Sequence, residues 1–144
     1  MILVSACLAG VNCAWDGKNK LNKEIKKLVD DKLAIPVCPE VLGGRSIPRT
    51  KTEIKGGSGK DVLNGRAKVL DENGLDVTEE FLKGARAALE LAKKYSVTKV
   101  ILKSKSPSCG VDYIYDGSFN RKLVKGNGVT TALLIKEGVQ CLST

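Results

Sequence analysis

The sequence contains no histidine. Within one chain this absence excludes a Ser-His-Asp triad, a Cys-His dyad and every metal site that depends on imidazole ligands. Any acid–base chemistry must therefore use Glu, Asp, Lys, Tyr, Ser or Cys side chains. The chain has five cysteines, but it has none of the paired CxxC knuckles that usually hold structural zinc.

Aromatic residues and long apolar runs are also scarce. One Trp, three Tyr and two Phe are present, without the aromatic-basic interleaving that supports base stacking on an RNA-binding face. No apolar run is long enough to cross a bilayer, and the N-terminal run lacks the basic segment of a signal peptide. We therefore expect a cytoplasmic protein without membrane contact, in a compartment where thiols stay reduced and cysteine clusters bind metals or act in catalysis.

The length and charge of the chain set the broad class. Its 144 residues suit a single domain spanning 1–144, and 42% hydrophobic with 28% charged residues is typical of a soluble globular protein. The net charge of +8 favours acidic partners such as phosphates, nucleotides or RNA. A basic surface also serves solubility alone, so the charge does not choose among these partners.

Three cysteines stand just past short apolar runs that are typical of β-strands. They are Cys7 after residues 2–4, Cys38 after residues 33–37, and Cys109 in the loop after residues 99–103. In a parallel sheet the carboxyl ends of the strands converge, and ligands bind in the crevice outside them. We expect these thiols to share one pocket, with Cys13, in the loop after the first strand, as a fourth candidate.

The remaining pattern predicts an α/β fold, a mostly parallel Rossmann-like sheet flanked by helices, with its site at the C-terminal ends of the strands. Apolar spacing predicts helices over 23–31, 81–95 and 131–137, the second with Thr78 as N-cap. Strands are expected at 111–115 and 139–142. We expect residues 38–66 to form a loop with short turns, and residues 67–77 to form a hairpin around Asn73 and Gly74.

The cysteine set admits more than one metal. Four thiolates suit structural zinc, whereas three sulfurs from scattered strands fit an iron–sulfur cluster better. A cluster with three protein ligands would leave one iron open as a Lewis acid. Cys141 alternates with Val139 in the terminal strand and reads as a small buried hydrophobe.

Polar residues next to the cysteines are candidates for proton transfer. Glu40 follows Cys38 by two residues and is a candidate general base or an exposed loop glutamate. Ser106 and Ser108 precede Cys109, where they could relay a proton, bond to cluster sulfur or cap the turn.

Two glycine-rich segments invite a phosphate-binding interpretation. Residues 56–60 fail the P-loop pattern, because Ile54 replaces its first glycine and Asp61 its Ser or Thr. Residues 126–130 could present amides to an anion at a helix N-terminus, although a simple turn is favoured. Trp15 and Tyr115, each followed by Asp-Gly, could stack on a planar ligand if their loops meet.

Several ordered motifs together resemble the TudS thiouracil desulfidases, a family formerly catalogued as a domain of unknown function. The motifs are SACLAGVNCAWDG at 5–17, PVCPEVLGG at 36–44, LKSKSPSCG at 102–110 and YDG at 115–117. The match runs nearly end to end, and motifs of this length are specific.

This resemblance implies an α/β fold with an oxygen-sensitive 4Fe–4S cluster and a non-redox removal of sulfur from thiolated uracil compounds. By motif position, Cys7, Cys38 and Cys109 are the implied cluster ligands, with Cys13 as an additional candidate. Glu40 and Ser106 match the family's proposed catalytic pair, in which the carboxylate activates water toward the thiocarbonyl carbon and the serine assists proton movement.

The expected substrate is a small thiolated uracil base or nucleotide. The family usually has a basic-aromatic pair where this chain has Ala14 and Trp15, and a proline within the segment that here reads RTKTEI at 49–54; both lie in expected substrate loops. Related multidomain proteins act on tRNA, which is less favoured here because no additional domain is expected. The alternatives are a non-catalytic zinc or four-cysteine cluster protein and a basic nucleotide- or RNA-binding module.

Overall fold

The computed structural model describes residues 1–144. Its strands are β1 (Ile2–Ser5), β2 (Ala34–Val37), β3 (Thr52–Lys55), β4 (Lys68–Asp71), β5 (Lys99–Leu102), β6 (Tyr113–Tyr115), β7 (Leu123–Lys125) and β8 (Gln140–Ser143). Its helices are α1 (Lys23–Asp30), α2 (Pro39–Leu42), α3 (Gly59–Leu63), α4 (Thr78–Lys94) and α5 (Val129–Lys136), with a single 3₁₀ turn at Ala6–Ala9.

A four-stranded parallel sheet with the order β2-β1-β5-β8 forms the centre of the molecule. Leu3, Val100 and Leu102 on its two inner strands are almost fully buried, as expected for a parallel sheet that is covered on both faces. Ala88 and Ala92 of α4 belong to the same apolar cluster. The predicted parallel α/β fold is therefore confirmed.

Two antiparallel pairs extend this core. β3 pairs with β4, and β6 pairs with β7. Ile54, Val69 and Ile114 of these strands pack with Phe81 of α4 in a second buried cluster. This cluster, which also includes Val129 of α5, attaches both pairs to the helices α4 and α5.

The interpretation of 38–66 as loop was incomplete, because the segment contains α2, β3 and α3. The two helices have 4 and 5 residues, which is too short for an apolar period to show. The predicted hairpin at 67–77 is confirmed: Leu70 pairs antiparallel with Asp76, and the N–H groups of Asp71 and Val77 donate to the carbonyl oxygens of Leu75 and Val69 at 2.8 and 2.9 Å. On its other edge β4 pairs with β3, a partner that the turn signal did not predict, and this pairing buries Ile54 and Val69.

The start of α4 also differs from the expectation. Val77 is the N-cap residue, and the Thr78 side chain instead accepts a hydrogen bond from the backbone N–H of Val69 at 3.0 Å. The cap-like contact is supplied by Asp76, whose carboxylate accepts from the Thr78 N–H at 2.9 Å. Thr78 thus anchors α4 to β4 rather than capping the helix.

Two glycines bring α2 into very close contact with α4. A Cβ placed on Gly84 would lie 2.0 Å from the Pro39 carbonyl oxygen, and one on Gly43 would lie 1.9 Å from the Glu80 carbonyl oxygen. Only hydrogen fits at either position. This contact fixes the position of α2 against α4, and with it the position of Glu40 in the first turn of α2.

None of the helices combines the length and apolar character that a membrane crossing requires.

Candidate active site

A cavity of about 600 Å³ lies at the carboxyl ends of the parallel strands. Its lining includes every residue that the sequence singled out for chemistry: Cys7, Cys13, Cys38, Cys109, Glu40 and Ser106. Cys141 is not among the lining residues and lies half-buried in β8, consistent with a packing role.

Each of the three principal cysteines is placed by the end of a strand. Cys7 lies in the 3₁₀ turn that follows β1, and Cys38 is the N-cap residue of α2, directly after β2. Cys109 is buried in the loop after β5. Cys13 is buried in the loop after the first turn, and its carbonyl oxygen lies 3.8 Å from the Cys38 sulfur.

The cavity perturbs the thiols in opposite directions. Burial raises the pKa of Cys109 to about 12, and burial together with the nearby Cys38 raises the pKa of Cys7. A hydrogen bond shared with Cys13 lowers the pKa of Cys38 to about 6 and raises that of Cys13. In the absence of a bound cation, Cys38 is therefore the thiol most readily ionised.

The donor set fits an iron–sulfur cluster. All four candidate ligands are sulfur, the donor that iron–sulfur clusters take from proteins. No three His, Cys, Asp or Glu side chains meet at the spacing of ligands to one metal ion. A cluster is several atoms wide, so its ligands stand farther apart than those of a single ion, and the four cysteines here line one shared cavity.

Glu40 is held by an arginine that the sequence analysis did not single out. The Arg49 Nε donates to Glu40 Oε2 at 2.6 Å, and both side chains are mostly buried, with 5% and 13% exposed. Glu40 is therefore not the exposed loop glutamate of the alternative interpretation. Nothing in the local pattern indicated Arg49, because the two residues are nine positions apart across an irregular segment.

The two serines before Cys109 have different environments. The Ser106 hydroxyl accepts hydrogen bonds from the backbone N–H groups of Ser108 and Cys109, at 3.0 and 2.9 Å, so it caps the turn and also lines the cavity. The Ser108 hydroxyl is buried against the Thr130 hydroxyl at 2.9 Å. Both serines line the cavity; the Ser108 hydroxyl is almost fully buried and also accepts from the Cys109 thiol at 3.9 Å, whereas Ser106 is the more exposed of the two.

The glycine-rich segment before α5 holds this loop rather than an anion. The N–H groups of Gly128, Val129 and Thr130 donate to carbonyl oxygens of residues 107–110, at 2.7–2.9 Å. A Cβ on Gly128 would lie 2.4 Å from the Ser108 carbonyl oxygen. The amides that could have faced a phosphate therefore hold the loop that carries Cys109.

Cationic and aromatic side chains complete the lining of the cavity. Besides Arg49, the cationic side chains are Lys20, Lys51, Lys103, Lys105 and Arg121, and the aromatic ones are Trp15, Tyr115 and Phe119. The Lys51 ammonium lies 4.8 Å from the Trp15 ring centre, within cation–π range. Trp15 and Tyr115 thus line the same cavity, which was the condition for either ring to stack on a planar ligand there.

The loop at 117–119 is tied down by a buried carboxylate. Glu53 of β3 accepts hydrogen bonds from the N–H groups of Gly117 and Phe119, at 3.0 and 3.1 Å. The Gly117 site is crowded, since a Cβ there would lie 2.6 Å from the Ile54 carbonyl oxygen. Glu53 therefore determines where Phe119 stands at the cavity wall.

The fold and the site define an α/β protein with a thiolate centre, in which cysteines from three parallel strands share a basic cavity with a carboxylate and a serine. Residues 2–144 match the model of the 2-thiouracil desulfurase family. The chain belongs to this family, which confirms the relationship inferred from the motifs.

Two individual proteins are similar to this chain over nearly its whole length. The chain is 50% identical over 143 residues to the uncharacterized protein YbbK of Bacillus subtilis (strain 168), covering 99% of this chain and 95% of that protein. It superimposes with a TM-score of 0.86 on a solved structure of a [4Fe-4S]-dependent thiouracil desulfidase, TudS. The identity to TudS is 40%, and the alignment covers 99% of this chain and 89% of the other.

Proposed function

We propose that this protein is a [4Fe-4S]-dependent desulfidase that converts the C=S group of a thiolated uracil into C=O and releases hydrosulfide. One observation carries the proposal: Cys7, Cys38 and Cys109 share a cavity with Glu40 in a chain of the 2-thiouracil desulfurase family. The reaction consumes one water and releases hydrosulfide and a proton, so it requires no external electrons.

Cys7, Cys38 and Cys109 would hold the cluster. We assign Cys13 a supporting role, because the Cys38 thiol donates to the Cys13 backbone carbonyl oxygen at 3.8 Å. When bound, a cluster with three protein ligands supplies a Lewis-acidic iron that can polarise the substrate's thiocarbonyl. Lys103, half-buried at the end of β5, faces the Cys7 and Cys109 thiolates as a positive charge.

Glu40 is the proton acceptor of the proposed reaction. Its Oε2 is bound by Arg49, whereas Oε1 accepts no hydrogen bond within the protein. Oε1 can therefore take a proton from the water molecule that attacks the thiocarbonyl carbon. This step needs a carboxylate at the cavity wall, which is where the end of β2 places Glu40.

Ser106 is the complementary donor. A hydroxyl has two lone pairs and one hydrogen, and two backbone N–H groups occupy the acceptor sites of Ser106. Its O–H hydrogen is the part left to face the cavity. Ser106 thus donates at Oγ while Glu40 accepts at Oε1.

A small uracil base or its nucleotide is the proposed substrate, ahead of tRNA. A volume of about 600 Å³ is within the range of small-molecule pockets. Trp15 and Tyr115 supply aromatic surface for a planar ring, and the cationic rim suits an anionic substituent. Because the cluster ligands must be reduced thiols, we also propose a cytoplasmic location.

The test is anaerobic reconstitution with iron and sulfide, followed by an absorbance spectrum and an assay of the 2-thiouracil and 4-thiouracil absorption bands. A brown protein that consumes a thiolated uracil and releases hydrosulfide supports the proposal. Uptake of zinc or of no metal, with every thiolated base and nucleotide left intact, contradicts it.

The proximity of Cys13 to Cys38 supports a second candidate, a closed four-cysteine centre without catalytic activity. In that case Cys13 is a ligand and no iron is open to substrate. The two candidates differ in whether Cys13 is needed to retain iron.

A further inference from the structure

We propose that Arg49 is a positioning residue that orients the Glu40 carboxylate, keeping Oε2 bound and Oε1 open to the cavity. This inference deepens the proposed desulfidase function and rests on it. Arg49 comes from the irregular segment before β3, so neither the strand ends nor the cysteine motifs indicate it.

The Arg49 guanidinium joins three segments of the chain. Its Nε donates to Glu40 Oε2 at 2.6 Å, Nη2 donates to the Cys13 carbonyl oxygen at 2.9 Å, and Nη1 donates to the Ser46 carbonyl oxygen at 3.3 Å. One side chain thus connects α2, the loop after the first turn and the segment before β3.

The ion pair between Arg49 and Glu40 is formed through a single hydrogen bond. A side-on arginine–carboxylate pair would use two nitrogens and bind both carboxylate oxygens. Here Nε is the guanidinium nitrogen that hydrogen-bonds to Glu40, while Nη1 and Nη2 donate to backbone carbonyl oxygens. The arginine therefore holds the carboxylate at one oxygen without covering the other.

Both side chains of the Arg49–Glu40 ion pair are mostly buried. With 5% of the Arg49 side chain and 13% of the Glu40 side chain exposed, removing either partner leaves the other charge largely desolvated and without its counter-charge. A lysine could supply the charge, but it lacks the planar fork that reaches three acceptors in fixed directions. The positioning therefore depends on the arginine shape as well as on its charge.

Arg49 also binds the loop that carries Cys13 and Trp15. The Arg49 backbone N–H donates to the Trp15 carbonyl oxygen at 2.8 Å, in addition to the contact of its side chain with Cys13. Trp15 is the cavity aromatic that Lys51 covers. The proton acceptor and one wall of the substrate space are thereby held by the same residue.

The test compares cluster-loaded wild type with Arg49→Gln, Arg49→Lys and Arg45→Gln. Arg45 is a matched control, because its guanidinium lies in the same segment but bonds to Thr50 at 3.2 Å and does not line the thiolate cavity. Iron per chain, the cluster absorbance, kcat and KM are measured for each protein with a thiolated uracil.

We expect Arg49→Gln to keep the wild-type iron content and spectrum while kcat falls by about a hundredfold, the scale of loss for a misplaced catalytic group. KM should change by less than about threefold, because the backbone bond to Trp15 is retained. Arg49→Lys should recover part of kcat, and Arg45→Gln should match the wild type. On a Glu40→Gln background, Arg49→Gln should cause little further loss, since both changes act on one carboxylate.

Two results overturn the assignment while the desulfidase function stands: an Arg49→Gln protein with wild-type kcat, or one that loses iron in proportion to activity. The second result would show that Arg49 only supports the cluster fold. A fully loaded wild type that leaves every thiolated uracil intact overturns the proposed function, and the role of Arg49 in it.

Discussion

At the scale of single residues, the site is built from pairs whose members modify each other. Cys13 shares a hydrogen bond with Cys38, and Arg49 binds Glu40. Backbone N–H groups occupy the acceptor sites of Ser106. These contacts leave three groups to face the cavity: the Cys38 sulfur, which ionises readily, the free Oε1 of Glu40 and the hydroxyl hydrogen of Ser106.

Replacing individual cysteines separates the three-ligand from the four-ligand centre. We expect Cys109→Ser to lose most of its iron after anaerobic reconstitution, because it removes a proposed ligand, and Cys13→Ser to retain it. Iron per chain and the cluster absorbance are the measurements, and Cys141→Ser is the control, since this cysteine lies outside the cavity. Equal iron loss in Cys13→Ser and Cys109→Ser would favour the closed four-cysteine centre.

The low pKa of Cys38 predicts a pH-dependent reaction in the cluster-free protein. A pKa of about 6 means that the thiolate predominates above pH 6 and is lost as the pH falls below it. Alkylation of Cys38 by iodoacetamide, followed by peptide mass analysis, should therefore have a midpoint near pH 6.

The same experiment on Cys13→Ala tests the cause. Without the shared hydrogen bond the pKa of Cys38 should rise, so its alkylation midpoint should move to higher pH. An unchanged midpoint would assign the low value to the other groups around Cys38, such as the Val41 N–H and Arg49.

At the scale of elements, short irregular pieces hold the site against the regular core. α2 lies against α4 through glycine contacts, and the start of α5 binds the carbonyl groups of the loop before Cys109. In both places the backbone groups are too close for a side chain. The positions of Cys38, Glu40 and Cys109 therefore depend on the packing of elements as well as on the strands.

Gly84→Ala tests the contact between α2 and α4. The added methyl group would lie 2.0 Å from the Pro39 carbonyl oxygen, so α2 must move. We expect a loss of about 1–3 kcal/mol in the free energy of unfolding, measured by urea denaturation of the cluster-free protein, and lower iron uptake.

Arg86→Ala on an exposed position of the same helix is the control and should change the free energy of unfolding by less than about 0.5 kcal/mol. If Gly84→Ala is as stable as this control, the close approach of α2 is not needed to hold Glu40.

Glu53 offers a test of the loop that carries Phe119. Glu53→Ala removes the acceptor of two backbone hydrogen bonds, and the loop should lose its fixed place at the cavity wall. We expect KM for a thiolated uracil to rise by about tenfold, which corresponds to about 1.4 kcal/mol. Glu53→Gln keeps the Oε1 acceptor and should remain close to wild type; an equal rise in both variants would point to the charge instead.

At the scale of the whole molecule, an uneven charge distribution surrounds the reaction space. The net charge is +8. Six cationic side chains line the cavity, namely Lys20, Arg49, Lys51, Lys103, Lys105 and Arg121, against four acidic ones, namely Asp16, Glu40, Glu53 and Glu72. Such a field raises the local concentration of anions and weakens as salt screens it. If this field acts on the substrate, a thiolated uracil that carries a negative charge outside the ring should bind better than the neutral base.

Salt dependence tests this expectation. Between low and high ionic strength, KM for 4-thiouridine monophosphate should rise several-fold, while KM for neutral 4-thiouracil should stay nearly constant. The free base is the internal control for general salt effects on the enzyme. If both KM values respond equally, the cationic rim serves solubility rather than substrate binding.

The family, the parallel sheet and the cysteines at its strand ends could be predicted from the sequence, because these signals are contained in short stretches. Strand-sized apolar runs followed by Cys7 and Cys38 needed no information from distant residues. The pairing of β3 with β4 could not be predicted in this way. It depends on the burial of Ile54 against Val69, which no local turn signal reveals.

By itself, the sequence determined the chemical content of the site: sulfur ligands, a carboxylate and a hydroxyl, with histidine excluded. The tertiary structure alone decided how these groups are oriented, through Arg49 on Glu40, Glu53 on the loop at 117–119, and the start of α5 on the loop of Cys109. The physical reason is that each of these contacts joins segments far apart in the chain. Their geometry arises only when the elements pack, and it leaves no periodic trace in the order of residues.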